Sequence, residues 1–330
     1  MKKILLLATL SGGIFLSRAQ EYKNFETLKA KDDKTDNIDT VATVYSGVFS
    51  IGINQGMLHN WAAGGELISA NINALFQGTY IRYNGRSIWT NNLDMAFGQF
   101  YAYSNGFIPR KTDDRIDLTS KYGYRINTEK DFYFTVLFNA KTQFADAYDY
   151  EMPDWENHPI SSPFSPLYLT LAPGVEYRRG SEFSVFFSPA AMRGTFASTK
   201  YTTMNPEGAF GVAYDKIFRF EIGAYLTARY KKDITPHFSY NGRFDAFSNY
   251  LAKDTYLDGV LVKEDNPGNI DILWDNNFSY NFLKYFSVNF GLLGIYDNDL
   301  PYMKNEDDPT RGLGWWQVKQ YLNVGFNYKF

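Results

Sequence analysis

From about Thr43 to the end of the chain, apolar and polar residues alternate with a period of two, segment after segment. In "RSIWTNNLDMAFGQFYAY", Trp89, Leu93, Met95, Phe97, Tyr101 and Tyr103 share one face, and Thr90, Asn92, Asp94, Ala96 and Gly98 share the other. In "DFYFTVLFNAKTQFA", Phe132, Phe134, Val136, Phe138 and Ala140 alternate with Asn139, Lys141 and Gln143. In "FRFEIGAYLTARYK", Phe218, Phe220, Ile222, Ala224, Leu226, Ala228 and Tyr230 oppose Arg219, Glu221, Thr227 and Arg229. The same alternation recurs in 66–82, 115–126, 167–178, 270–281 and 286–296. Successive strand residues point to opposite faces, so each segment predicts a β-strand with one greasy and one wet side. The segments run roughly 10–16 residues, long for soluble strands but suited to crossing a bilayer at a tilt.

The connections come in two kinds. Asn84-Gly85, between two alternating runs, is a strong hairpin signal. "NTEKD" (127–131) and "RRGS" (178–181) are further tight turns. Others are long and polar: "SNGFIPRKTDD", "YDYEMPDWENHPISSPFSP", "LAKDTYLDGVLVKEDNPGN" and "DNDLPYMKNEDDPTRGLG". Short turns at one end and long loops at the other predict an all-β, transmembrane, antiparallel up-and-down β-barrel. About 13 candidate strands are countable, whereas single-chain bacterial barrels have an even number, so the expectation is about 12, with 14 as the alternative. The count goes wrong between 206 and 250, through a split strand or a missed turn, with Asn241-Gly242 as the candidate turn.

Ahead of the alternation, Lys2 and Lys3 precede the apolar run "ILLLATLSGGIFL", and "SRA" before Gln20 is a small-x-small cleavage site. This predicts a signal peptide over 1–19, cut after Ala19. Residues 20–41 are charged and aperiodic, which suggests a flexible periplasmic segment ahead of a barrel over 42–330. The chain has no cysteine, which excludes disulfides, thiol catalysis, Cys-bearing zinc sites and a lipoprotein anchor. A net charge of −3 gives no footprint for nucleic acid. Aromatic residues make up 18% of the chain, yet its mean hydropathy is negative. A soluble β-sandwich or a lipocalin-like barrel would turn these rings inward, but one sandwich core has no room for them all.

The last strand, "YLNVGFNYKF", places Leu322, Val324, Phe326, Tyr328 and Phe330 on one face. It resembles the signal by which outer-membrane insertion machinery takes up barrels, an alternating strand ending in Phe. Further stretches are "NWAAGGELISANINALFQGTY" (60–80), "WTNNLDMAFGQ" (89–99), "KTDDRIDLTSKYGY" (111–124), "NAKTQFADAYDY" (139–150), "FDAFSNYL" (244–251) and "YDND" (296–299). Together with the terminal "WWQVKQYLNVGFNYKF", they resemble an outer-membrane family of the Bacteroidota known as a domain of unknown function. The resemblance covers essentially the whole mature chain. It implies an outer-membrane address and a flavobacterium-like source, and no reaction.

Candidate chemistry is sparse. In "HFSYNG", His237 and Ser239 share a strand face, so an imidazole could take the serine proton, with Asn241 to orient it. Outer-membrane lipid hydrolases carry a similar His-x-Ser pair followed directly by Asn, but here Tyr240 intervenes. The face continues to Arg243 and Asp245, so it turns to the lumen, whereas a lipid hydrolase needs its nucleophile at the lipid rim. No catalytic residue is assigned. Asp297, Asp299, Asp307 and Asp308 could hold a divalent cation, and Asp113 and Asp114 pose the same question, but no EF-hand spacing is present. Solvated loop acid is the ordinary reading, so neither a metal nor a cofactor is expected. His59 and His158 stand alone, and Trp61 with Gly64 and Gly65 reads as a ring-anchored loop.

By parity, Arg115, Asp117, Lys121, Arg125, Lys141, Glu176, Arg178, Arg219, Glu221, Arg229, Asp271 and Asp275 fall on polar faces and line the lumen. Their mixed signs either pair across a narrow lumen or line a small pore, without strong ion selectivity. The leading functional expectation is a non-enzymatic small pore or structural component of the envelope, in contact with outer-membrane lipid and lipopolysaccharide. A barrel that docks another outer-membrane component or a surface ligand through its long loops is the second. A lipid-modifying hydrolase built on His237 and Ser239 is the third.

Overall fold

The computed structural model describes residues 41–57, 66–126, 131–150, 152–180, 182–206, 208–253, 255–257, 260–263, 266–283, 285–296 and 316–329. The expected signal peptide lies outside them, as does the segment 20–41 apart from Val41, which opens the first strand.

Sixteen strands follow in order: β1 (Val41–Met57), β2 (Ile68–Asn84), β3 (Ser87–Ala102), β4 (Arg110–Arg125), β5 (Phe132–Thr142), β6 (Ala147–Tyr148), β7 (Pro159–Ser161), β8 (Leu167–Arg179), β9 (Phe183–Phe196), β10 (Phe218–Asp233), β11 (Phe238–Asn249), β12 (Thr255–Leu257), β13 (Val260–Lys263), β14 (Ile270–Leu283), β15 (Phe286–Tyr296) and β16 (Trp316–Lys329). Twelve of them close one antiparallel barrel in the ring order β1-β2-β3-β4-β5-β8-β9-β10-β11-β14-β15-β16. The pairs β6–β7 and β12–β13 are small hairpins within the β5–β8 and β11–β14 connections. The count of 12 is therefore right. The suspected turn at Asn241-Gly242 is not: β11 runs straight through both residues, and the turn lies at 234–237, where the N–H groups of Ile234 and Thr235 donate to the Phe238 carbonyl.

Hairpins set the register. Asn84 faces Ser87 across a two-residue loop, and Gly85 takes a φ of 58°, a left-handed backbone that glycine adopts without a side-chain clash. β1 pairs with β2 over seventeen residues, Val41–Met57 against Asn84–Ile68. It pairs with β16 over five, Val48–Gly52 against Lys329–Gly325.

The alternation sorts side chains between two solvents. Tyr122 is 54% exposed, Phe134 53% and Trp274 50%, and all point out of the ring, whereas Thr135, next to Phe134 on β5, is fully buried inside. Such a ring-studded wall suits hydrocarbon, and a closed ring leaves no backbone edge to satisfy there. Two outward polar side chains find protein acceptors, which suits a lipid face. Trp89 Nε1 donates to Ser120 Oγ at 2.9 Å. Asn276 is the Cα partner of Gly242, whose missing side chain lets the Tyr240 hydroxyl lie across and reach Asn276 Oδ1 at 2.7 Å.

The expectation that rings point outward has an interior exception. Leu137, Ala172, Phe186, Ala191, Tyr225 and Phe247 form a buried apolar cluster inside the barrel, contributed by β5, β8, β9, β10 and β11. Hydrophobicity favours lipid and a dry lumen core alike, so parity had to be read from neighbours. Phe186 shares its face with Ser184 and Ser188, Tyr225 with Thr227, and Phe247 with Asp245.

Candidate functional site: the barrel lumen

Arg243, on β11, organises the middle of the lumen. Its NH1 donates to Asp117 Oδ2 at 2.8 Å, and its Nε and NH2 reach Asp245 Oδ2 at 2.9 Å and 2.6 Å. Asp117 stands on β4, five places from β11 around the ring of twelve, so this ion pair spans the barrel. Lys141 Nζ lies 3.8 Å from the same carboxylate. Arg115 NH1 on β4 lies 3.7 Å from Asp275 Oδ2 on β14, six places away and therefore on the opposite wall. Towards the loop end, Lys319 on β16 crosses to Asp113 on β4 at 3.0 Å. Side chains of opposite charge thus meet across the lumen and form a septum. The void left within it, bordered by Asp94, Arg115, Asp117, Arg229 and Arg243, measures about 30 Å³, roughly one water.

The apolar cluster fills the β5–β11 side of the lumen. Arg193 covers it, with its guanidinium carbon 3.7 Å from the Phe247 ring centroid and NH1 2.8 Å from Asp271 Oδ2. On the facing side the lumen stays open as a cavity of about 310 Å³. Its lining includes Val44, Ser46, Thr79 and Ile81 near the strand ends at 41 and 84, and Glu182 and Asp233 beside two short turns. The cavity therefore occupies the short-turn half of the barrel.

Between cavity and wall sits a second buried pair, Lys121 with Glu176, whose other oxygen accepts from Thr135 Oγ1 at 3.4 Å. Arg178 NH1 donates to Thr90 Oγ1 at 2.9 Å, and Arg229 NH2 to Thr119 Oγ1 at 3.5 Å. The remaining parity candidates lie near the barrel ends. Arg125 pairs with Asp131 at 2.6 Å beside the β4–β5 turn. Arg219 pairs with Glu221 at 2.9 Å, and Asn249 Nδ2 donates to the same carboxylate at 3.1 Å.

The other sequence candidates are dispersed. His237 is exposed in the short turn before β11, while Ser239 and Asn241 line the cavity. Among the described residues no hydrogen bond joins the His237 side chain to Ser239, so base and nucleophile are not brought together. Asp113 is taken by Lys319, and Asp114 by Lys111 at 2.8 Å and by the N–H groups of Phe144 and Ala145 at 2.6 Å and 3.0 Å. His158 lies 3.9 Å from Asp154. Asp297, Asp299, Asp307, Asp308, His59, Trp61, Gly64, Gly65 and Phe330 lie outside the described residues. Sequence reasoning missed that Arg243 ties the septum together, although its parity was readable.

Several solved structures match this chain at low similarity. The translocator domain of the autotransporter NalP from Neisseria meningitidis is 10% identical, with 95% of this chain and 97% of that one covered and a TM-score of 0.36. An outer membrane channel from Pseudomonas putida F1 is 11% identical over 88% and 96% of the chains, with a TM-score of 0.35. A porin is 10% identical over 88% and 100%, with a TM-score of 0.27. Scores this low transfer no function. No curated protein matches the sequence. Residues 53–148, which include the Asp113–Leu118 stretch, match the family described as "Protein of unknown function (DUF3078)".

Proposed function

We propose that this chain is a non-enzymatic β-barrel of the outer membrane, exported behind a cleaved leader over 1–19. It serves the envelope as a structural component with a constricted lumen rather than as an open diffusion pore. Lipid and lipopolysaccharide cover its aromatic belt, and β16 engages the insertion machinery. The observation that carries this reading is the Arg243–Asp117 bridge between distant walls, because a wide pore holds its charged side chains apart in water. Planar-bilayer recording tests it. The wild type should conduct little or nothing, and the Arg243→Ala/Arg115→Ala double variant should open measurable steps. Large, steady wild-type conductance that these substitutions leave unchanged would overturn the reading.

Docking through the loops is a second reading. In the β5–β8 connection, Tyr148, Tyr150 and Trp155 pack in tilted and edge-on contacts with centroids 4.8–6.2 Å apart, and Arg110 lies 5.2 Å from the Tyr150 ring centroid. Aromatic contacts of this kind hold a loop in one shape, as a recognition surface needs. A partner that stays with the protein through detergent purification, and is lost on Trp155→Ala, would favour it.

A further inference from the structure

The cavity on the short-turn side is lined by charged side chains of both signs. Five basic side chains line it (Arg115, Lys121, Arg178, Arg229 and Lys231) together with three acidic ones (Asp94, Glu182 and Asp233). Lys121 is paired with Glu176 and Arg115 leans on Asp275. Arg178 and Arg229 differ. Neither makes an ion pair among the described residues, and their hydrogen bonds go to the neutral hydroxyls of Thr90 and Thr119.

Strand register brings those two guanidiniums together. Thr90 on β3 is the Cα partner of Lys121 on β4, and Thr119 lies two residues from Lys121 on the same face. Thr90 and Thr119 are therefore diagonal neighbours, roughly 7–8 Å apart. Arg178 arrives from β8 and Arg229 from β10, so two planar forks end on neighbouring threonines. An oxyanion placed there takes N–H donors from both forks. The opposite wall carries Val44, Val48, Leu75 and Ile81, which offers an apolar body somewhere to rest.

From this geometry we infer that the lumen holds a binding site for a small oxyanion, a carboxylate or phosphate group, clamped by Arg178 and Arg229 and entered from the short-turn end. The volume of about 310 Å³ accommodates a compact solute rather than a polymer. The inference takes its site from the constricted-lumen reading, but it is tested by binding rather than conductance, so either can fail alone.

The test is isothermal titration calorimetry of the folded full chain in detergent micelles, with inorganic phosphate and with benzoate. Saturable binding of either is expected; preference for benzoate assigns the apolar wall to the site, and preference for phosphate assigns the charge alone. The Arg178→Gln/Arg229→Gln variant should bind at least about tenfold more weakly. Arg193→Gln, whose guanidinium serves Asp271 and Phe247 away from the clamp, should bind like the wild type. Folding of each variant is checked by the mobility change on boiling in dodecyl sulfate gels. Should the double variant not fold, the single substitutions decide, each weakening binding several-fold. Absence of saturable binding by both ligands, or equal binding by wild type and Arg178/Arg229 variants, overturns the proposal.

Discussion

Replacing Arg243 with methionine keeps an unbranched apolar stem and removes the charge with its donors, which probes the electrostatic part of the septum. Arg243 lies 2.8 Å from Asp117 and 2.6 Å from Asp245, with side-chain exposures of 12%, 4% and 10%. A unit pair at 2.8 Å attracts by roughly 6 kcal/mol at an effective dielectric of about 20, before desolvation is counted. Much of that is offset by the cost of burying the ions, so the loss is smaller than the attraction. After the substitution Asp117 still has Lys141 at 3.8 Å, while Asp245 keeps no ion pair among the described residues. Removing one partner of a buried pair costs about 3–5 kcal/mol, and Arg243→Met should fall in that range. Urea unfolding in phospholipid vesicles, followed by tryptophan fluorescence, measures it. Adding Asp245→Asn to Arg243→Met should recover part of the loss, since it removes the stranded charge. A solvated pair contributes at most about 1 kcal/mol. A loss below that for Arg243→Met refutes the septum, because it means water fills the space between the walls.

Three further outcomes follow from the same assay. Val136→Arg, near the middle of the outward face of β5, should destabilise the barrel by about 2–4 kcal/mol, and a neutral result would contradict the lipid-facing assignment. Phe186→Ala removes a fully buried ring from the lumen cluster and should cost about 3–5 kcal/mol; a change under about 1 kcal/mol would show the cluster to be loosely packed. Ser120→Ala takes away the acceptor of the Trp89 indole and should cost about 1 kcal/mol, checked by the unfolding midpoint and a shifted Trp89 emission.

Much of the architecture is legible because it is local. A period of two is written into each strand by its own residues, and a turn such as Asn84-Gly85 announces itself through backbone preference. Contacts across the lumen are not local. Arg243 and Asp117 are 126 residues apart, and their meeting depends on the stagger accumulated over the intervening strands, which no single segment encodes. The inward rings of Phe186, Tyr225 and Phe247 were hard to read for a different reason. A phenylalanine gains by leaving water for lipid or for a dry core, so hydropathy alone does not reveal its side. The Asn241-Gly242 pair misled because its glycine serves the lipid face, where it clears a path for the Tyr240 hydroxyl, and not a bend.

The five-residue junction of β1 with β16 makes the circumference uneven in strength. A hoop parts at its shortest weld, so thermal motion will unzip this junction before any of its longer neighbours. While hydrocarbon surrounds the molecule, bare amides released there would find nothing to bind, and that cost holds the hoop shut. Once water reaches the junction the restraint is gone, and sideways parting becomes the first step by which the ring comes undone.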